Sequence, residues 1–159
     1  MEESRYTEAE AHRRFAIQYH GKTWDLLDKV GRTADEDELM VHNAHASLRH
    51  WLEVGTGLHH QRGEWLLARV YSVLRRAQEA ERHALRCLAL TEAHAGLMAD
   101  FDRAFAYEAA ARASALAGRR EEWLRYSALA EEAGKAIGDE EDRAYFLGDL
   151  AGGNWFGIR

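Results

Sequence analysis

Apolar and polar positions along the chain follow a helical period that breaks at regular intervals. In the second periodic segment, apolar or small residues recur every three or four positions, at Met40, Ala44, Leu48, Trp51 and Gly55. This spacing places them on one side of an α-helix. The same pattern predicts seven helices, at about 6–30, 36–54, 58–75, 77–95, 100–117, 120–136 and 139–150. An all-α fold follows.

The breaks between these segments are short and evenly spaced. Five of them contain a glycine: Gly31, Gly55, Gly96, Gly118 and Gly138. A sixth break, at 75–78, has the sequence RRAQ and no glycine. Each interval between breaks holds one helix and one turn, and two intervals span about 42 residues, a length typical of a helical-hairpin repeat. The sequence therefore predicts an antiparallel array of helical hairpins. The alanine-rich fifth helix is expected at its centre.

Composition supports one helical domain. The 159 residues contain no proline, and 47% of them are apolar. Proline is the strongest helix breaker, and this apolar fraction is enough for the core of a single domain. We expect that domain over residues 1–151 and a separate tail over 152–159. Gly152 and Gly153 should end the last helix, so the tail's Trp155 and Ile158 would dock on their own domain or insert into a neighbouring molecule.

Charge and cysteine content exclude several classes of protein. The net charge of −6 argues against general nucleic-acid binding, which needs a basic face. The single cysteine cannot form an intrachain disulfide, which favours a reducing compartment. The charged start of the chain has no signal-peptide pattern, and no apolar stretch is long enough to span a membrane. We expect a cytoplasmic protein that binds neither nucleic acid nor membranes.

The third and fourth predicted helices resemble a tetratricopeptide repeat (TPR). The TPR signature has a leucine, a small residue and a tyrosine on its first helix and an alanine on its second. This chain has Leu67, Ala68, Tyr71 and Ala80 at the matching positions. The signature tryptophan is missing, because Glu64 stands at its position.

The fifth and sixth predicted helices resemble the same repeat more loosely. Ala110, Ala111 and the turn residue Gly118 fit, whereas Ser114 replaces the tyrosine and Trp123 replaces an alanine. The resemblance implies a divergent TPR-like array wound into a right-handed superhelix. It also implies a concave groove that binds a peptide, a protein segment or another copy of the chain.

The resemblance also implies which side chains would line that groove. In TPR proteins these lie six and three residues before the small residue, and one and four after it. Counted from Ala68 and Ala111, these positions are Arg62, Trp65, Arg69, Ser72, Phe105, Glu108, Arg112 and Ala115. Of these, we expect Arg62, Trp65, Arg69, Ser72, Glu108 and Arg112 to form the peptide site.

Helical geometry independently groups the first three of these side chains. At 100° per residue, Arg62, Trp65 and Arg69 lie within about 60° of one another on the third helix. Two guanidinium groups can bind carboxylates, and an indole can cover an apolar side chain. This predicts an acidic segment or a free C-terminus as partner. The alternative is that Trp65 packs between helices with the arginines around it, and that Glu108 and Arg112 form an ion pair.

A metal-dependent enzyme is the second functional hypothesis. His42 and His45 lie one helical turn apart and could bind a metal together with His12 or His20 of the first helix. The chain lacks the Glu-x-x-His spacing of di-iron bundles, and no catalytic motif is recognisable. The leading expectation is therefore a non-enzymatic binding module without a cofactor. A structural homodimer is the third hypothesis.

Overall fold

The computed structural model describes residues 5–159, and seven α-helices account for most of this range. They are α1 (Glu8–Leu27), α2 (Ala34–Val54), α3 (Gly57–Val73), α4 (Ala77–Ala93), α5 (Asp100–Leu116), α6 (Arg120–Lys135) and α7 (Glu140–Ala151). A short 3₁₀ turn at Ala95–Leu97 lies between α4 and α5. All seven predicted helices are confirmed. Residues 1–4 of the predicted domain lie outside the described range.

Side-chain caps fix where the first two helices begin. The Thr7 hydroxyl accepts a hydrogen bond from the Glu10 amide, and the Glu10 carboxylate accepts one from the Thr7 amide. Thr33 and Glu36 form the same reciprocal pair at the start of α2. Because such a capping box satisfies amides that the helix leaves free, it sets the first helical residue locally.

The five helices from α2 to α6 repeat with a spacing of 43 residues. Helices α2, α4 and α6 begin at residues 34, 77 and 120, and α3 and α5 begin at 57 and 100. Each helix packs against the next one in the chain, and α3 also packs against α5, and α5 against α7. The expected repeat of two helices is therefore confirmed, and the structure is an array of packed helices.

Helix α5 lies at the centre of this array, as its composition predicts. It packs against α3, α4, α6 and α7. Its alanines are almost fully buried, with Ala104, Ala106, Ala111 and Ala113 at 0% exposure. Small side chains allow close approach of neighbouring helices on several sides, which explains how one helix can have four neighbours. Among the described residues, no helix is long and apolar enough to cross a membrane.

The turn after α3 contains no glycine, but its backbone has the same geometry as the glycine-containing turn after α5. Arg75 has a φ of 59°, and Gly118, one repeat later, has a φ of 72°. The amide of Arg76 donates to the carbonyl of Tyr71, and the amide of Arg119 donates to that of Ser114, both at 2.9 Å. Helices α3 and α5 thus both end in a Schellman motif. In this motif the residue with the left-handed backbone conformation is usually glycine.

We predict opposite effects on stability at these two turns. Arg75→Gly should raise the free energy of unfolding by about 1 kcal/mol, because it relieves the left-handed strain of a side-chain-bearing residue. Gly118→Ala should lower it by about 1 kcal/mol, because the added methyl group meets no neighbour and only the backbone strain acts. Urea denaturation measures both. A loss of stability in Arg75→Gly would instead mean that the Arg75 guanidinium, 5.5 Å from the Phe156 ring, stabilises the turn.

The tail folds back onto its own domain. Helix α7 ends at Ala151, directly before the two glycines. Trp155 and Ile158 are only 5% and 8% exposed, and they pack with Ala111 and Ala115 of α5. Of the two expected destinations of the tail, docking on its own domain is the one observed.

Candidate functional site

An open cleft of about 250 Å³ lies between the odd-numbered helices. Helices α1, α3, α5 and α7 all contribute side chains to its lining, which is largely apolar. Five of these side chains are aromatic: Trp24, Trp65, Phe101, Phe105 and Tyr145. Concave, mainly apolar surfaces with a few polar groups are typical of ligand sites.

The aromatic side chains contact one another across the helices. The Trp24 and Trp65 rings stack with their centroids 6.0 Å apart, and this contact joins α1 to α3. The Phe105 ring lies edge-on to Trp65 at 5.5 Å, and Tyr145 lies 6.3 Å from Phe105. Tyr145 is 69% exposed, so it stands at the rim, whereas Trp65 is half-buried. Trp65 therefore packs between helices and borders the cleft at the same time.

Arg62 lies at the cleft but is already paired. Its Nε and Nη2 atoms donate to the two carboxylate oxygens of Asp102, at 2.8 and 3.0 Å. Asp102 also accepts a hydrogen bond from the Ala99 amide at the start of α5, and it is only 4% exposed. This bidentate pair therefore joins α3 to α5 as part of the packing.

Arg69 is paired in the same way with the last helix. Its guanidinium donates to both carboxylate oxygens of Asp149 on α7, at 3.2 and 3.0 Å, and lies 3.6 Å from the Glu108 carboxylate. Two arginines and two aspartates thus line the cleft, and their formal charges cancel. The sequence predicted an acidic partner from the positive charge of these arginines. In the structure each of the two arginines is paired with its own carboxylate, so the described residues do not form a cationic groove here.

Arg112 holds the tail instead of lining the cleft. Its guanidinium donates to the Glu108 carboxylate and to the carbonyls of Asp149 and Asn154, the last two at 3.1 Å. It also lies 4.1 Å from the centre of the Trp155 ring. The expected alternative, an ion pair between Glu108 and Arg112, is observed. Complete burial raises the pKa of Glu108, and the charges of Arg112 and Arg69 offset part of this effect.

The predicted groove is divided into two parts. Arg62, Trp65 and Arg69 border the open cleft, as predicted from their common helix face. Ser72 and Arg112 border a second cavity of about 210 Å³, and the tail forms its other side. Glu108 is 1% exposed and borders only a small void of about 10 Å³ between α3 and α5. The tail therefore covers the end of the groove that contains Ser72, Glu108 and Arg112.

Sequence reasoning missed the side chains that other helices bring to the cleft. Trp24 lies on α1, and Tyr145 and Asp149 lie on α7, which are outside the helices that resemble a TPR. Gln61 precedes Arg62 on α3 and is 1% exposed. Its Nε2 donates to Thr91 and to the Asp102 carbonyl, and its Oε1 has no partner among the described residues.

The histidines of the metal hypothesis have separate surroundings. His12 contacts His50 through their Nδ1 atoms at 2.9 Å, and the Nε2 of His45 lies 2.8 Å from the Tyr71 hydroxyl. His20 lies beside Trp24, and His42 is exposed. Within residues 5–159, no group of three or more histidines, cysteines or carboxylates is placed to hold a metal ion. The structure thus does not assemble the expected ligand set.

No protein-family model matches this chain, and neither the curated proteins nor the solved structures contain a match. The similarity to TPR proteins therefore rests on the residues quoted above.

Proposed function

We propose that the chain is a non-enzymatic binding module with a TPR-like arrangement, and that its cleft receives an apolar or aromatic side chain of a partner peptide or protein. The observation that carries this proposal is the open cleft itself. It is bordered by aromatic rings from four helices, and it contains Arg62, Trp65 and Arg69, which the resemblance assigns to a ligand groove.

The charges of the cleft favour an uncharged group as the part that enters. Arg62 and Arg69 are neutralised by Asp102 and Asp149, so an additional anion would have to compete with an aspartate that is already bound. Burying an apolar side chain needs no such exchange. Binding is favoured because apolar surface of the side chain and of the aromatic rings is removed from water. The acidic segment or free C-terminus predicted from sequence remains an alternative partner.

Model side chains can test this proposal directly. We would titrate the protein with N-acetyl-phenylalaninamide, N-acetyl-leucinamide and N-acetyl-alaninamide and follow the indole N–H signals of the tryptophans by NMR. The first two probes should shift the Trp24 and Trp65 signals, with dissociation constants on the order of 1 mM, which suits a single side chain. The alanine probe should have little effect, and the signal of Trp123 should not move because it lies outside the cleft.

A rim variant adds a matched control. Tyr145→Ala should weaken binding of the phenylalanine probe about threefold, because it removes one exposed wall of the cleft while leaving stability nearly unchanged. Leu124→Ala on α6, a comparably exposed residue outside the cleft, should leave the affinity unchanged. Absence of any shift at Trp24 and Trp65 would refute the proposal. Affinity that falls steeply with added salt would favour the acidic partner instead.

A further inference from the structure

We propose that the group received by the cleft is an indole, the side chain of a tryptophan in the partner, and that its N–H donates a hydrogen bond to Gln61. This inference rests on the proposed function, because it specifies the chemistry of the group bound in the same cleft.

The first observation is the unpaired oxygen of Gln61. The side chain lies in the wall of the cleft and is almost completely buried. Its Nε2 is committed to Thr91 Oγ1 at 3.0 Å and to the Asp102 carbonyl at 3.2 Å. Because the Asp102 carbonyl can only accept, the amide orientation is fixed, and Oε1 is left as an acceptor without a partner.

A buried acceptor without a donor is unfavourable, and such atoms are rare in folded proteins. A ligand that supplies an N–H at this position would remove the penalty, whereas a ligand without a donor would retain it. The cleft therefore has a physical means of preferring one aromatic group over another of the same shape.

The indole N–H of Trp65 also lacks a partner, but Trp65 additionally borders the small void next to Glu108. Gln61 lines the cleft and does not line that small void, so we assign its oxygen to the cleft.

The second observation is how the chain holds an indole of its own. The Arg112 guanidinium lies 4.1 Å from the centre of the Trp155 ring, and the Trp155 Nε1 donates to the Gly152 carbonyl at 3.1 Å. The lining of the cleft contains the same two kinds of group, an arginine and a carbonyl oxygen. Arg69 lies one 43-residue repeat before Arg112, and the Gln61 amide oxygen replaces the backbone carbonyl. An indole offers a planar face to a guanidinium group and one N–H donor to a carbonyl oxygen.

The test compares two ring systems of nearly equal shape. Indole has the N–H donor, and benzothiophene has a sulfur atom in its place. In the wild-type protein, indole should bind about tenfold more tightly than benzothiophene, as measured by the shifts of the Trp24 and Trp65 signals, because it satisfies a buried acceptor. In Gln61→Met this preference should fall to about twofold or less, since the acceptor is absent. Gln18→Met on the exposed side of α1 is the matched control and should retain the preference.

Each outcome decides between the two proposals. If both rings bind the wild type equally, or benzothiophene binds more tightly, the indole inference is wrong and the apolar cleft remains. If neither ring shifts the Trp24 and Trp65 signals, the proposed function fails as well. The comparison in the wild type needs no substitution, so the test holds even if Gln61→Met does not fold.

Discussion

Replacing Arg112 with alanine is expected to lower the free energy of unfolding by about 3–5 kcal/mol, the usual cost of removing one partner of a buried ion pair. Glu108 is 1% exposed and would keep only Arg69, at 3.6 Å, as a nearby cation. The carbonyls of Asp149 and Asn154 would also lose their donor. Urea denaturation at neutral pH measures the loss.

The pH dependence of this loss gives a second check. Burial already raises the pKa of Glu108, and removing Arg112 should raise it further. A carboxyl group whose pKa is higher in the folded state binds its proton more readily there, so stability falls as the pH rises through that pKa. The deficit of Arg112→Ala should therefore shrink as the pH is lowered towards about 4.3, the usual pKa of an unfolded glutamate.

Two further variants test whether the loss of stability is specific to the pair formed by Arg112 and Glu108. Arg103→Ala removes an exposed arginine from the same helix and should change stability by less than about 0.5 kcal/mol. Adding Glu108→Gln to Arg112→Ala should restore part of the loss, because it removes the unpaired buried carboxyl group. Equal effects of Arg103→Ala and Arg112→Ala would show that the tail and Glu108 do not depend on Arg112.

Trp155→Ala should cause a loss of similar size, about 3–5 kcal/mol, as is typical of a buried tryptophan. Trp155 is 5% exposed and packs on Ala111 and Ala115. The guanidinium groups of Arg112 and Arg159 lie 4.1 and 4.4 Å from the centre of its ring. Its loss leaves the apolar end of α5 open to water. The melting temperature and the urea midpoint both report the change.

The neighbouring Phe156 is the control for this substitution. Phe156 is only half-buried, so Phe156→Ala should cost about 1 kcal/mol. Because Arg112 and Trp155 dock the same segment, the double variant should lose less stability than the sum of the two single losses. Additive losses would mean that Arg112 and Trp155 stabilise the protein independently of each other. A Trp155→Ala loss as small as that of Phe156→Ala would mean that the tail contributes little to the array.

Local sequence patterns were sufficient to predict the helices and their repeat length, whereas they left open whether the tail docks on its own domain or on a neighbouring molecule. Helix ends depend on nearby residues such as Thr33 and Glu36, so periodicity and caps are informative. The cleft was only partly predictable, because its charge depends on contacts between distant segments. Arg62 pairs with a residue 40 positions away, and Arg69 with one 80 positions away. No short-range pattern indicates that Asp102 and Asp149 would neutralise these arginines.

The 43-residue spacing of α2 to α6 has a consequence for the size of the cleft. Helices α1 and α7 both border it, although they lie at opposite ends of the helix order. A duplicated unit such as residues 77–119 would begin and end at equivalent points of the repeat, so the chain could lengthen without a change of register. The added pair of helices would separate the first and last helices and convert the cleft into a longer open surface. The number of repeats would therefore set the length of the cleft.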